Sequence, residues 1–187
     1  MHVAVVYETL FGCTGQVAQS IAEGLQAAAP GVRVTCALVA DAAPPPPGVD
    51  LLVVGGPTHF LGMSSPRSRR MASEHRELLI KTGRVHRTAP LQAGPGIREW
   101  LATLPQAAAG AYATAFDTRL TDLFPGSAAR LIADSLREHG YQLAARPEGF
   151  LVQAYEGPLC QGERERARRW GLALASHLWP AARHREA

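Results

Sequence analysis

The chain has little of several things that would assign a function quickly. Its three cysteines, Cys13, Cys36 and Cys160, are odd in number and widely spaced, with no C-x-x-C pair. That spacing excludes a disulfide framework and a cysteine zinc site, and it points to a reducing, cytoplasmic setting. Lysine occurs once, at Lys81, so no G-x-x-x-x-G-K-[ST] phosphate loop can form, and no G-x-G-x-x-G follows a strand. No apolar run reaches the length of a bilayer span, and the first residues enter a strand pattern directly, so neither a membrane segment nor a leader is expected. Histidines at 2, 75, 86, 139, 177 and 184 lack metal-ligand spacing.

The sequence does contain a regular alternation of strand and helix patterns over 187 residues, a length that fits one domain. Val3 to Tyr7 is an apolar, β-branched run that stops at a short polar turn. Val17, Ala18, Ile21, Ala22 and Leu25 then recur with a helical period. Val32 to Leu38 alternates as a second strand, and the four prolines at 44–47 require a surface connection. Leu51 to Gly55 is continuously apolar, as in a strand covered on both faces. Ser64-Ser65-Pro66 predicts a helix start and a helix over 66–81. Residues 82–96 read as a loop, 97–104 as a short helix and 110–116 as a fourth strand. Residues 117–126 read as a loop, and Ser127 caps a helix to His139. Residues 141–145 and 150–154 form an interrupted fifth strand, 163–178 a last helix, and 180–187 a flexible tail. This order implies a doubly wound α/β fold, a five-stranded parallel sheet in the order 2-1-3-4-5 with helices on both faces. In such a sheet the ligand crevice lies at the strand C-termini, where the loops after strands one and three meet.

The first of those loops is an anion site by construction. A strand that turns sharply into a helix leaves the first helical N–H groups unpaired at the positive end of the dipole. Thr9 and Thr14 bracket the turn with hydroxyls, and Gly12 allows close approach of a phosphate oxygen. The spacing Thr9-x-x-Gly12-x-Thr14, with Ala18 and Ile21 on the following helix, resembles the signature of the flavodoxin family. The resemblance implies that Thr9, Leu10, Phe11, Gly12, Cys13 and Thr14 hold the phosphate of FMN without lysine or magnesium. Gly55-Gly56-Pro57-Thr58-His59-Phe60-Leu61-Gly62 resembles the loop after the third strand in flavodoxins and flavodoxin-like quinone reductases. It implies that Pro57 and Thr58 contact the flavin, that His59 or Phe60 stacks on or borders the ring, and that Gly62 is among the cofactor-binding residues, its missing side chain letting main chain approach the ring's edge. The resemblance places residues 1–179 in one FMN-binding domain, with 66–96 as a basic helix-and-loop insertion.

The third loop, Phe116-Asp117-Thr118-Arg119, matches the family poorly. Phe116 either covers the ring or sits in the core. Asp117 either accepts from the flavin N3–H or caps the loop, and Arg119 either lies near the ring's N1/C2=O edge or is a surface arginine. Glu8 stands alone opposite Gly55-Gly56, which excludes the acidic cluster of a receiver domain. Cys13, with no partner cysteine nearby, reads as a tolerated loop residue.

Charge is uneven. The net charge is +3, yet residues 66–89 alone carry +5, from Arg67, Arg69, Arg70, Arg76, Lys81, Arg84 and Arg87 against Glu74 and Glu77. Electron-carrier flavodoxins are typically acidic, so with Arg67, Arg69, Arg70 and Arg119 near the flavin the reduced form is expected to be less destabilised. Three functions remain open: an FMN electron carrier whose arginines dock an acidic redox partner protein, an FMN-dependent reductase using NAD(P)H on a quinone or similar small-molecule acceptor, and a binding module without redox work. The basic stretch lacks interleaved aromatics, which argues against nucleic acid.

Overall fold

The computed structural model describes residues 1–28, 31–42, 48–84, 94–120 and 126–180. The prolines at 44–47, most of the expected 82–96 loop including Arg87, the centre of the expected 117–126 loop and residues 181–187 of the tail lie outside the described residues.

Strands β1 (His2–Tyr7), β2 (Arg33–Leu38), β3 (Leu51–Pro57), β4 (Tyr112–Arg119) and β5 (Gln142–Leu143) pair in the order β2-β1-β3-β4-β5, and every pairing is parallel. A further strand, β6 (Glu148–Leu151), also pairs with β4, beyond β5, so the interrupted fifth strand exists as two short pieces. The helices are α1 (Cys13–Ala28), α2 (Pro66–Lys81), α3 (Ile97–Leu101), α4 (Ala128–Glu138) and α5 (Glu163–Leu178).

Alternation along each strand divides the core in two. Val3, Val5, Leu51, Val53 and Phe116 face one way, onto α1 and α5. Ala4, Val6, Leu52, Val54, Ala113 and Ala115 face the other way, onto α3 and α4. Helix α2 starts where the sequence indicates, with Pro66 at its first turn. Ser65 and Ser68 cap each other's backbone: Ser68 N–H donates to Ser65 Oγ, and Ser65 N–H to Ser68 Oγ.

One element differs from expectation in a way that matters for the site. The fourth strand does not end at Phe116 but runs on through Asp117 and Thr118 to Arg119. Partners on both sides hold it extended: Gly56 and Pro57 of β3 lie opposite Asp117 and Thr118, and Gly149, Phe150 and Leu151 of β6 lie opposite Asp117, Thr118 and Arg119. Local turn chemistry at Asp117 is overridden because its side chain finds fixed partners in space.

The basic stretch is not one face either. Arg67 and Arg70 are exposed, whereas Arg76 is buried and Arg69 turns inward to Ser64 and Glu99. No described helix is long and apolar enough to cross a membrane.

Candidate active site

At the C-terminal edge of the sheet, where β1 and β3 diverge to different neighbours, lies a cavity of about 410 Å³. That volume is within the range of small-molecule sites, about 300–1,000 Å³. Thr9, Leu10, Phe11, Cys13 and Thr14 line one side, and Pro57, Thr58, His59 and Phe60 another. Arg119 reaches it from the end of β4. Two turns far apart in sequence thus share one cavity, as the order of strands requires.

The first turn is shaped by Gly12, at φ +95°, whose N–H donates to Thr9 Oγ1 at 3.1 Å. Gln16 N–H donates to the Gly12 carbonyl and closes the first helical turn, so the amides of Cys13, Thr14 and Gly15 precede any intrahelical bond. Among the described residues, no atom beyond Gly12 and its chain neighbours lies within 4 Å of where a Cβ on Gly12 would stand, which leaves open space over the start of α1. Among the described residues the cavity lining contains one cation, Arg119, and no carboxylate. An anionic group at α1 and a flat apolar body against Leu10, Phe11, Pro57 and Phe60 fit these residues. Thr14 is used differently from the sequence reading: its hydroxyl is buried and shares a 2.8 Å hydrogen bond with Thr118.

The second turn is braced from below. Thr58 N–H donates to the Thr118 carbonyl at 2.9 Å, and Thr58 Oγ1 donates to Asp117 Oδ2 at 3.0 Å while accepting from Ala128 N–H. Asp117 is fully buried and also accepts from Ser127 Oγ at 2.7 Å and Ala129 N–H at 3.0 Å. It ties β4, the β3 loop and the start of α4 together and is not part of the cavity wall, so of its two alternatives the structure supports capping. His59 and Gly62 exchange backbone hydrogen bonds of 2.8 and 3.0 Å, leaving Phe60 and Leu61 at the tip of a tight turn. Phe60 adopts φ +54° there and is 79 % exposed. Gly62 is a hinge of this turn and not a wall of the cavity; a Cβ on it would stand 2.7 Å from Leu131 Cδ1.

Glu8 supports the same loop from β1. Fully buried, it accepts from Ser64 Oγ at 2.7 Å and from Ile97 N–H at 2.8 Å, and Arg69 donates to Ser64 Oγ at 3.0 Å.

Phe116 belongs to the core: its ring covers Gly55 and meets Phe150 edge to face at a centroid distance of 6.4 Å, so it cannot cover a cavity ligand. Arg119 lies with its guanidinium over Gly149, 3.6 Å from Asp117 Oδ2, so part of its charge is compensated. Burial pushes the Cys13 thiol above its usual range, consistent with a packing residue.

Five wall residues carry no sequence signal of their own: Thr118, Leu120, Gly126, Val152 and Tyr155. Tyr155 packs edge to face on Phe11 (5.6 Å between centroids) and approaches His59 (6.0 Å), while its neighbour Glu156 accepts from His75 Nε2 at 2.6 Å. The signal available was position: Val152 and Tyr155 follow the last strand, and loops at strand C-termini converge on the crevice.

His59 is 5 % exposed, and burial together with the Arg69 charge lowers its imidazole pKa to about 4. The unfolded chain therefore binds a proton near pH 6.5 that the folded chain does not bind until about pH 4. Stability from this group is complete above about pH 6.5 and is lost as pH falls toward 4, by up to about 3 kcal/mol. Chemical denaturation of the wild type and His59→Phe from pH 7 to pH 4 checks this. The two profiles share the carboxylates, and the wild type alone is expected to carry the extra slope. Parallel profiles would refute it.

No family model matches the chain, and no curated protein matches it by sequence. Solved structures do. An archaeal flavodoxin superposes with a TM-score of 0.58 at 18 % identity, covering 98 % of this chain and 100 % of its own. Oxidised flavodoxin 1 of Bacillus cereus gives 0.63 at 13 % identity, covering 95 % and 99 %. A cysteine-to-serine mutant of flavodoxin from Pseudomonas aeruginosa gives 0.58 at 16 % identity, covering 95 % and 99 %. With the strand order and the position of the cavity, these likenesses establish the architecture, and the chain is a flavodoxin-like protein in fold.

Proposed function

We propose that the chain binds FMN in this cavity and serves as an electron carrier between a reductant and a redox partner protein. The observation that carries the reading is the meeting of the Thr9–Thr14 turn and the Pro57–Phe60 loop at one cavity with an anion cradle at one end and apolar walls. FMN, when bound, supplies reversible electron storage; the chain's own residues hold and shield it. The amides at the start of α1 bind the phosphate, as unpaired helix N-termini do. Pro57, Val152 and the aromatic pair Phe11–Tyr155 exclude water from a flat ring. Phe60, Leu120 and Tyr155 are 79 %, 53 % and 43 % exposed at the same cavity and form an apolar rim where a partner can approach. Exposed Arg67 and Arg70 favour an acidic partner. With Arg69 paired to Glu99, the expectation of a less destabilised reduced flavin rests on Arg119.

Adding FMN to the refolded chain is expected to quench flavin fluorescence at one equivalent and to leave a yellow protein after desalting. A colourless protein that leaves FMN fluorescence unchanged would reject the reading and favour a binding module. The exposed rim also supports the reductase reading, because a flat quinone can pack against it; steady oxidation of NADPH or NADH with a quinone by the FMN-loaded protein would select that alternative.

A further inference from the structure

Thr118 belongs to neither of the two turns that line the cavity, yet it is bonded to both. Its carbonyl accepts from Thr58 N–H at 2.9 Å, and its hydroxyl stands 2.8 Å from the hydroxyl of Thr14. The residue is itself held in place, because in β4 it lies opposite Pro57 of β3 on one side and Phe150 of β6 on the other. Two bonds of the first turn, Gly12 N–H to Thr9 Oγ1 and Gln16 N–H to the Gly12 carbonyl, are local to it. The Thr14–Thr118 bond instead joins residues 104 apart and anchors the start of α1 to the sheet. Thr14 is the second residue of that helix, so a fixed Thr14 side chain also fixes the directions of the amides of Cys13, Thr14 and Gly15.

The two hydroxyls together have one proton to spare. Each carries one proton and two lone pairs. One proton joins the two oxygens, whichever of them donates, so one O–H is left over. Neither hydroxyl has a second partner among the described residues, both residues are buried, at 2 % and 5 % exposed, and both line the cavity. The described lining holds no carboxylate that could take the proton. A buried donor without an acceptor is costly, so this part of the cavity calls for a ligand oxygen. Resting on the FMN reading above, we propose that Thr118 is a positioning residue for the phosphate and acts through Thr14. With the anion at the start of α1, Thr118 O–H donates to Thr14 Oγ1 and Thr14 O–H donates to a phosphate oxygen. A hydroxyl that accepts one hydrogen bond donates a stronger one, so Thr118 both aims the Thr14 hydroxyl and strengthens it.

The test compares FMN with riboflavin, each titrated by fluorescence into the cofactor-free full chain and its variants. Thr118→Val keeps the shape of the side chain and the carbonyl that Thr58 uses. It is expected to weaken FMN about tenfold and to leave riboflavin within about twofold, because FMN alone carries the anion. Thr118→Ser restores a hydroxyl and is expected to bind FMN within about threefold of the wild type. Thr14→Val removes the donor itself. Adding Thr118→Val to it is expected to weaken FMN by less than about twofold further, since the two hydroxyls act as one unit. An unchanged preference for FMN in Thr118→Val, an equal loss of both ligands, or a further loss of about tenfold in the double variant would overturn the proposal. Should Thr118→Val not fold, Thr118→Ala against Thr118→Ser gives the same comparison, with the same ratio of FMN to riboflavin affinity deciding it. FMN bound equally well by every Thr118 variant rejects this inference alone, whereas a wild type that takes up no FMN rejects the reading beneath it as well.

Discussion

Replacing Gly24 with leucine is expected to destabilise the fold by about 4 kcal/mol, which for a domain of this size lowers the melting temperature by about 8–16 °C. The reason is the closeness of α1 to α5. A Cβ on Gly24 would stand 2.0 Å from the Arg168 carbonyl oxygen and 2.9 Å from Leu172 N, and one on Gly171 would stand 2.3 Å from the Ile21 carbonyl oxygen. All three obstacles are helix backbone, which cannot yield as the end of a flexible side chain does. The helices must separate, and separation uncovers Ile21, Leu25 and Leu174, which are buried between them and the sheet. The gain in helix propensity over glycine, about 1 kcal/mol, offsets only part of the cost. Gln26→Leu, at an exposed position of the same helix, serves as the control and is expected to stay within about 0.5 kcal/mol. Calorimetric melting of both variants checks the prediction; a Gly24→Leu melt within about 2 °C of the wild type would show that the two helices are not held this close in solution.

The same contact bears on the site, because α1 carries the Thr9–Thr14 turn at its N-terminus. Two braces position the facing loop. Glu8 holds Ser64 and the start of α3, and Asp117 holds Thr58 and the start of α4. Both carboxylates are fully buried and neither lines the cavity. Their place is under the site, where they fix a loop whose tip carries Phe60 at positive φ. A bulky residue in that conformation persists only where the surroundings determine it.

These braces show why some of the site was legible in the sequence and some was not. The Thr9–Thr14 turn could be read because its constraints are local: a strand, a glycine and a helix start follow one another within a short stretch. The sheet order could be read because parallel strands alternating with helices leave few topologies. Asp117 could not be placed, since an aspartate after an apolar run signals a turn, and only partners met in space, Gly56 and Gly149 across the sheet and Thr58, Ser127 and Ala129 at its carboxylate, make it a strand residue. Phe116 faces the core because Gly55, its cross-strand neighbour, leaves room for the ring. The arginines between 67 and 87 read as one basic stretch, yet Arg69 and Arg76 turn inward, which a count of charges does not reveal. Tyr155 gives no signal because its turn has no motif of its own; only three-dimensional proximity to Phe11 and His59 gives it a role.

The end of the cavity at the start of α1 gives the larger expected effect on binding. FMN is expected to bind about a thousandfold more tightly than riboflavin, which lacks the phosphate. Two or three charge-assisted hydrogen bonds from backbone amides, each about 1.5–3 kcal/mol, supply about 4 kcal/mol, or three decades of affinity. Gly12→Val should remove most of that difference. Valine is strained at φ +95°, and its Cβ enters the open space over the start of α1 that the phosphate needs. FMN affinity in the variant is therefore expected to fall toward that of riboflavin, while riboflavin, held by the apolar walls alone, binds as it does in the wild type. Fluorescence titration with both ligands separates a lost anion site from a damaged fold, because a damaged fold weakens both. Equal affinities for FMN and riboflavin in the wild type would mean that the turn at Gly12 does not bind the phosphate. The cavity would then be an apolar site, and the functional reading built on its charged end would fail.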